Sequence, residues 1–397
     1  MKNQLLPLLA LLFVACGSPS TTTDSVTAAP DRASAAADGS MSLTPEAIEP
    51  EVVFPYEDIL WSFRFLPDGR MIATDKAGKL LLVRDGKATT ITEGIPVVKN
   101  VGQGGLLDVL PGRNFAEDRL VYLSYSEPAA GADPEKKRTP ANTAVARGRL
   151  NDAETALENV EVLYSAAPKT DKPYHYGSRM VWGATDGHLY FTIGDRGDRD
   201  TNPQDTTRDG GKVYRIAADG SVPADNPFAG YADARRAIYS YGHRNAQSLA
   251  VHPETGALWE TEHGPRGGDE INIIQPGLNY GWPEITYGIN YDGTQITQEV
   301  AKPGMEQPLH YWVPSIAPSG MAFVTGDRYP GWEGDLMVGS LKFMRLQHVQ
   351  LNDKNEVIGE QKLINNMGRV RDVRMGPDGY LYCSVEGEGI VKLTVAR

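Results

Sequence analysis

Residues 259–282 read WETEHGPRGGDEINIIQPGLNYGW. A His, four acidic residues, a Gly264-Pro265 bend and a GGDE turn lie between two strand-like runs. A bend of this kind leaves backbone carbonyls without strand partners. Carbonyls together with carboxylates are what a hard cation such as Ca²⁺ binds. Glu270 and the stretch around Tyr280 could serve a second, structural ion. Read alone, the segment is more simply a plain Ω-like loop.

Four other segments carry polar groups of the right kind. His175 stands in YHYGSR, where a neutral imidazole can take a proton from a hydroxyl. The plainer reading is a His that caps a strand end. Arg244-Asn245, in GHRNAQ, offers a rigid fork of donors suited to carboxylate or quinone oxygens, or else a structural Arg. Arg369 and Arg371 are two apart and share one face of an extended segment. Two like charges there require an anion or a flanking acid, and Asp372 should face the other way. Lys342, in GSLK, adds a third cation. Gln103 sits in VGQGG, a Gly-rich turn with no following Lys-Ser/Thr or helix, so a phosphate cradle is excluded. Together these residues imply a site for a cation, an anionic ligand and one titratable base.

The elements that must position them are short strands. From about residue 50 the chain shows apolar runs of four to six residues behind Asp-Gly or Thr-Gly turns, as in PDGRMIATD, TDGHLYFTIGD, PETGALWETEHG and PDGYLYCSVEGEG. These are repeated β-hairpins. Similar hairpins spaced along most of the chain predict an all-β protein, a β-propeller. Residues 129–142 and 196–211 interrupt the pattern and read as loops. The charges of the second loop, Asp198, Asp200, Asp205 and Asp209 among them, read most simply as a solvated face.

The chain has 397 residues, 41% hydrophobic and 23% charged, ordinary for a globular protein. A net charge of −12 argues against nucleic-acid binding, which needs a basic footprint. Lys2, the apolar run 5–14 and Ala15-Cys16 read as a signal peptide over residues 1–15, and FVAC resembles a lipobox with Cys16 lipidated. Residues 16–48 are rich in Ser, Thr and Ala and read as a disordered tether, leaving 49–397 for the folded domain. The expected location is periplasmic, anchored to the outer membrane through Cys16. Cys383 then has no disulfide partner and reads as a small buried apolar residue.

The order GQGGLLDV, HYGSR, TIGDRGD, YGHRNAQSL, EHGPRGGDEIN with NYGWP, WVPSIAPSG, GSLK and RVRDV resembles that of the soluble PQQ-dependent sugar dehydrogenases, over roughly residues 55–393. The resemblance implies a six-bladed β-propeller carrying pyrroloquinoline quinone (PQQ) and Ca²⁺, an aldose substrate and an external electron acceptor. It implies that His175 is the base, with Gln103 contacting substrate and quinone. Arg244 and Asn245 would lie beside the quinone, and Lys342, Arg369 and Arg371 would face its carboxylates. The carbonyls of Gly264 and Pro265 would hold the catalytic Ca²⁺, and Glu270 and Tyr280 a structural one. Tyr174 stands where the glucose-oxidising branch has Asp, and Val313 where it has Trp. A Ca²⁺-dependent propeller lactonase and a glycan-binding propeller are the competing classes.

Overall fold

The computed structural model describes residues 43–396. Among them, 24 strands form six four-stranded antiparallel sheets, the blades of a β-propeller. Blades 1 to 5 span residues 60–91, 106–165, 180–241, 246–312 and 318–363. Blade 6 takes strands from both ends of the chain. Ile48–Pro55 adds to the C-terminal strand Gly389–Val395, from Ile48 opposite Val395 to Pro55 opposite Gly389. This pairing closes the ring, with Ile48–Pro55 as the outer edge strand of blade 6 covering Gly389–Val395. The leader, Cys16 and most of the expected tether lie outside the described residues. Residues 43–48 belong to the folded body. Leu43 donates its N–H to Pro330 O at 3.1 Å and packs on the core between blades 5 and 6. Leu43 and Ile48 escaped an argument from average composition.

The four turns PDGR, TDGH, PETG and PDGY each join the first and second strands of a blade. The second strands are the most buried. Leu189–Ile193, Leu258–Glu262, Leu336–Ser340 and Leu381–Val385 are covered at every residue. Neighbouring blades pack on both of their faces, which is why these runs are nearly continuous in apolar or small residues. Cys383 lies in the last of them, buried and unpaired, as expected of a small apolar residue. The expected loop 129–142 ends at Pro140, because the strand Ala141–Leu150 begins there. The loop 196–211 is a solvated face only in part: Asp198 and Asp200 are solvent-accessible, whereas Arg196 and Asp209 are buried. Arg196 is buried over the Tyr176 ring, 3.5 Å from its centroid, and buried Asp209 accepts from Tyr164 Oη and Ala167 N at 2.5 and 2.8 Å. Arg196 and Asp209 point inward because the backbone there has few ladder bonds, and their side chains replace them.

Around the axis the first strands bring charges together. Arg64 meets Asp108 at 3.0 Å and Asp372 at 3.1 Å, and Arg179 meets the same two carboxylates at 3.3 and 3.2 Å. Arg374 adds a contact to Asp372 at 3.0 Å. Both aspartates are fully buried. Burial pushes the Asp372 carboxyl up, but Arg179, Arg374 and Arg64 outweigh it and hold it below the usual range. These groups belong to blades 1, 2, 3 and 6, so the network ties the ring together at its centre. Breaking a buried ion network from one side leaves charges unpaired and costs about 3–5 kcal/mol. Asp108→Ala should therefore lower unfolding stability by about that amount, read from the urea midpoint at unchanged m-value. A loss under about 1 kcal/mol would show that the network holds nothing together.

Candidate active site

In an antiparallel blade the first strand begins, and the second ends, at the same end of the propeller. Nearly every candidate residue comes from these two places. Gln103, His175, Arg244 with Asn245, and Arg369 precede the first strands of blades 2, 3, 4 and 6, and Arg371 lies just inside the last of these. His263-Gly264-Pro265 and Lys342 follow the second strands of blades 4 and 5. So do Asp195 in blade 3, Glu386 in blade 6 and Lys76 in blade 1, none of which had been assigned a role from the sequence.

A cavity of about 560 Å³ is lined by Gln103, Tyr174, His175, Asp195, Arg244 and Trp282, among others. His175 Nδ1 lies 2.6 Å from Asp195 Oδ1. The second oxygen of Asp195 accepts from Trp282 Nε1 at 2.9 Å. The carboxylate thus fixes the tautomer with Nδ1 protonated and leaves Nε2 as the basic nitrogen. The loss of an acid at Tyr174 does not deprive His175 of a carboxylate partner, because Asp195 in TIGDRGD supplies one from across the blade. The His175 backbone has φ +58°, a left-handed conformation that costs energy in a non-glycine residue and collects at functional sites. Its N–H donates to Gln103 Oε1 at 2.7 Å. Gly194 makes room for it, since a Cβ there would lie 2.4 Å from His175 O. Burial, and then Arg244, push the imidazole below its ordinary value, with Asp195 offsetting part of the fall. His175 is therefore a neutral base at neutral pH. His263, a second neutral imidazole nearby, is pushed by burial to about 3 and its Nε2 is engaged with Pro318 O at 2.6 Å, so it is too weak a base for the same task.

Beside this cavity lies a larger one of about 670 Å³ that shares Gln103, Pro265 and Tyr291 with it. Lys76, Arg266, Lys342, Arg369 and Arg371 line it. The acid required beside the two arginines is Glu386 and not Asp372, which faces the axis. Glu386 bonds Arg369 Nε at 3.0 Å and also Arg371 Nε. Asp269 is the carboxylate of the lining; counting it and Glu386, the partner of the two arginines, against the five cations leaves +3 on a protein of net −12. Asp269 itself is spent on backbone: it accepts from Gly264, Ile316 and Ala317 N–H at 2.7–2.8 Å, and burial pushes it up to about 6. Gly264 and Pro265 both border the cavity, and Pro265 O accepts only a long bond of 3.4 Å from Ser315. Asn245 is buried behind the wall. Its Oδ1 accepts from Gly177 N–H at 3.1 Å, and its Nδ2 has no partner among the described residues. A net-positive chamber with a spare amide donor fits a polyanionic ligand bearing further acceptor oxygens.

Glu270 and Tyr280 are not in this chamber. They line a small cavity of about 10 Å³ with Glu262, Gly264 and Trp282. The Tyr280 hydroxyl is engaged by Ile273 O and Gln275 N, so only its main chain is free to serve an ion. Glu260, Glu262 and Glu270 converge on the Asn272 amide at 3.1–3.5 Å. Burial and the Glu262 charge push the Glu260 and Glu270 carboxyls well above their usual range. Like charges this deep call for a cation or a proton. Glu262 also accepts from the backbone N–H of Arg244 and Asn245 at 2.5 and 3.2 Å, which joins this cluster to the site above. Sequence reading named Glu270 alone; the alternation of Glu260 and Glu262 on one strand was the available signal.

Residues 57–392 match the family described as glucose/sorbosone dehydrogenase. The chain is 41% identical to the aldose sugar dehydrogenase of Escherichia coli (strain K12) over 343 residues, covering 85% of this chain and 90% of that one. It is also similar to the crystal structure of the soluble aldose sugar dehydrogenase from Escherichia coli in its apo form. The TM-score is 0.80 at 38% identity, over 88% of this chain and 99% of that one. A second similar structure is the PQQ-bound form of aldose sugar dehydrogenase from Streptomyces coelicolor, with a TM-score of 0.71 at 25% identity, over 88% and 98%. Sequence match, blade architecture and the shared site face agree: the chain belongs to the glucose/sorbosone dehydrogenase family, and so to the oxidoreductases.

Proposed function

We propose that this protein oxidises the anomeric hydroxyl of aldose sugars to the lactone with PQQ and Ca²⁺, His175 acting as the base. The observation that carries the reading is the His175–Asp195 pair opening beside a chamber of net charge +3. PQQ, when bound, supplies a hydride acceptor that Ca²⁺ polarises. Lys342, Arg369 and Arg371 would hold its carboxylates, with Arg244 and Asn245 at its polar edge and Gly264 and Pro265 offering carbonyls to the metal. A structural Ca²⁺ would be held by the carboxylate of Glu270 and the main chain at Tyr280, beside Glu262.

The protein's own contribution is proton handling and placement. His175 Nε2 takes the hydroxyl proton as hydride leaves C1. Asp195 holds the Nδ1 proton and stabilises the imidazolium that forms. Trp282 keeps the Asp195 carboxylate turned toward the ring. Gln103 ties the His175 backbone to the shared wall of the two cavities. Tyr174 borders the substrate cavity, whereas Val313 packs near Gly267 and lines neither cavity, so Tyr174 is the position that tunes sugar choice. A lactonase would need carboxylates around its catalytic cation, and a glycan-binding propeller would need no base. The cationic chamber and the paired imidazole favour the dehydrogenase. The leader-like residues 1–16 support export to the periplasm, anchored through Cys16, with electrons passing to an external acceptor.

Adding PQQ and Ca²⁺ to the purified protein should raise its melting temperature and switch on aldose-dependent dye reduction. Prolonged chelation with EDTA should abolish the activity and Ca²⁺ should restore it. No shift in melting and no dye reduction at saturating PQQ would end the quinoprotein reading in favour of a hydrolase.

His175→Ala should keep PQQ binding and lower turnover by about 10²–10⁴-fold. Because burial and Arg244 depress the His175 pKa, the base stays unprotonated to lower pH than a free imidazole. The acid limb of kcat/KM should therefore have its midpoint below 6.5, the ordinary value for histidine. A midpoint above 7, or turnover in His175→Ala within threefold of wild type, would assign the proton to another group.

A further inference from the structure

We infer that Lys76 is an anchor for the anionic cofactor, binding one of its carboxylates from the blade-1 side of the chamber. The inference rests on the quinoprotein reading above and extends it to a residue outside every motif that suggested it.

Lys76 directly follows the second strand of blade 1, Met71–Asp75. His263 and Glu386 hold the same place in blades 4 and 6, and Asp195 and Lys342 lie one residue further on in blades 3 and 5. The fold delivers a side chain to the active face from that point in blade after blade. The Lys76 side chain reaches the wall of the 670 Å³ chamber from blade 1, next to blade 6, and joins Lys342, Arg369 and Arg371 in its lining.

Its stem is held in place. Gly105 has φ +151° and packs so closely that a Cβ there would lie 2.2 Å from Lys76 O and 2.7 Å from Lys76 Cγ. Leu106 N–H donates to Lys76 O at 3.0 Å. The last glycine of the VGQGG turn thus has a specific use: it lets blade 2 clamp the lysine of blade 1. The ammonium donates to Asn100 Oδ1 at 2.7 Å, which leaves two donors. Among the described residues no carboxylate lies within ion-pair distance of it, and the charge most strongly felt is that of Arg371, of like sign. Burial and that repulsion push the ammonium below its ordinary value, with Glu386 and Asp75 offsetting part of the fall. Arg369 and Arg371 bond Glu386 directly; Lys76 bonds no carboxylate among the described residues. A held, partly buried ammonium with two free donors facing a like charge is a placement that a bound anion satisfies. With Lys76, a third blade adds a cation to those that blades 5 and 6 supply.

The test uses the full chain with Ca²⁺ and PQQ itself as the probe. Affinity is read from quenching of intrinsic Trp fluorescence, with melting as a second readout. Lys76→Met keeps the stem and removes the charge. The expected result is PQQ binding weakened by about tenfold or more, the scale of one charge-assisted bond. Melting of the apoprotein should be unchanged or slightly raised, because repulsion with Arg371 is relieved, while the PQQ-induced rise shrinks. Lys76→Arg should restore most of the affinity. Arg371→Ala is the comparator and should weaken binding by about one to two orders of magnitude. If Arg371→Ala weakens binding and Lys76→Met stays within threefold of wild type, Lys76 is not an anchor and the quinoprotein reading stands. If wild type binds no PQQ, both fall.

Discussion

The site depends on one constraint of the antiparallel blade. A first strand that starts at one end of the propeller must be met there by the end of the second strand. Six blades therefore bring twelve chain segments to a single face. Across the blades these segments carry the base, its carboxylate partner, the exposed carbonyls and the cations. The hairpin turns that were easy to see in the sequence lie at the opposite end, where they bear no chemistry. Function and folding signals are thus segregated to opposite faces of the same sheets.

Charge is segregated too. The chain is strongly acidic, yet the large chamber carries a net +3 and the small cavity beside it is lined by buried carboxylates. Glu262 connects the two, bonding the backbone of Arg244 and Asn245 while lying among Glu260 and Glu270. An ion held by the lower cluster would brace the segment from which Arg244 projects. Beneath both, the arginine–aspartate network on the axis supplies rigidity without touching the cavity of His175. Such buried networks are costly to leave incomplete, which holds the blades in a fixed relation and the site residues in register.

The sequence by itself determined the architecture and most of the cast. Strand-length apolar runs behind Asp-Gly and Thr-Gly turns specified repeated hairpins, because period-two burial and turn chemistry are local properties. His175, Gln103, Arg244, Lys342, Arg369 and Arg371 were legible as polar groups out of place in strand-rich surroundings, and the order of motifs supplied the family. Their pairings were not legible. Asp195 is 20 residues from His175, Trp282 is 87 from Asp195, and Glu386 is 15 from Arg371. Pairing of the first and second strands within blades 3 and 6 brings His175 to Asp195 and Arg371 to Glu386, and the stacking of blade 4 beside blade 3 brings Trp282 to Asp195. The same holds for Glu260 and Glu262, which look like outward-facing acids of an alternating strand until blade packing buries them, and for Lys76, whose neighbours belong to blades 2 and 6. Periodicity fixes which way a side chain points within its own sheet. What it meets there, and hence its protonation state and its partner, is decided by the closure of the ring.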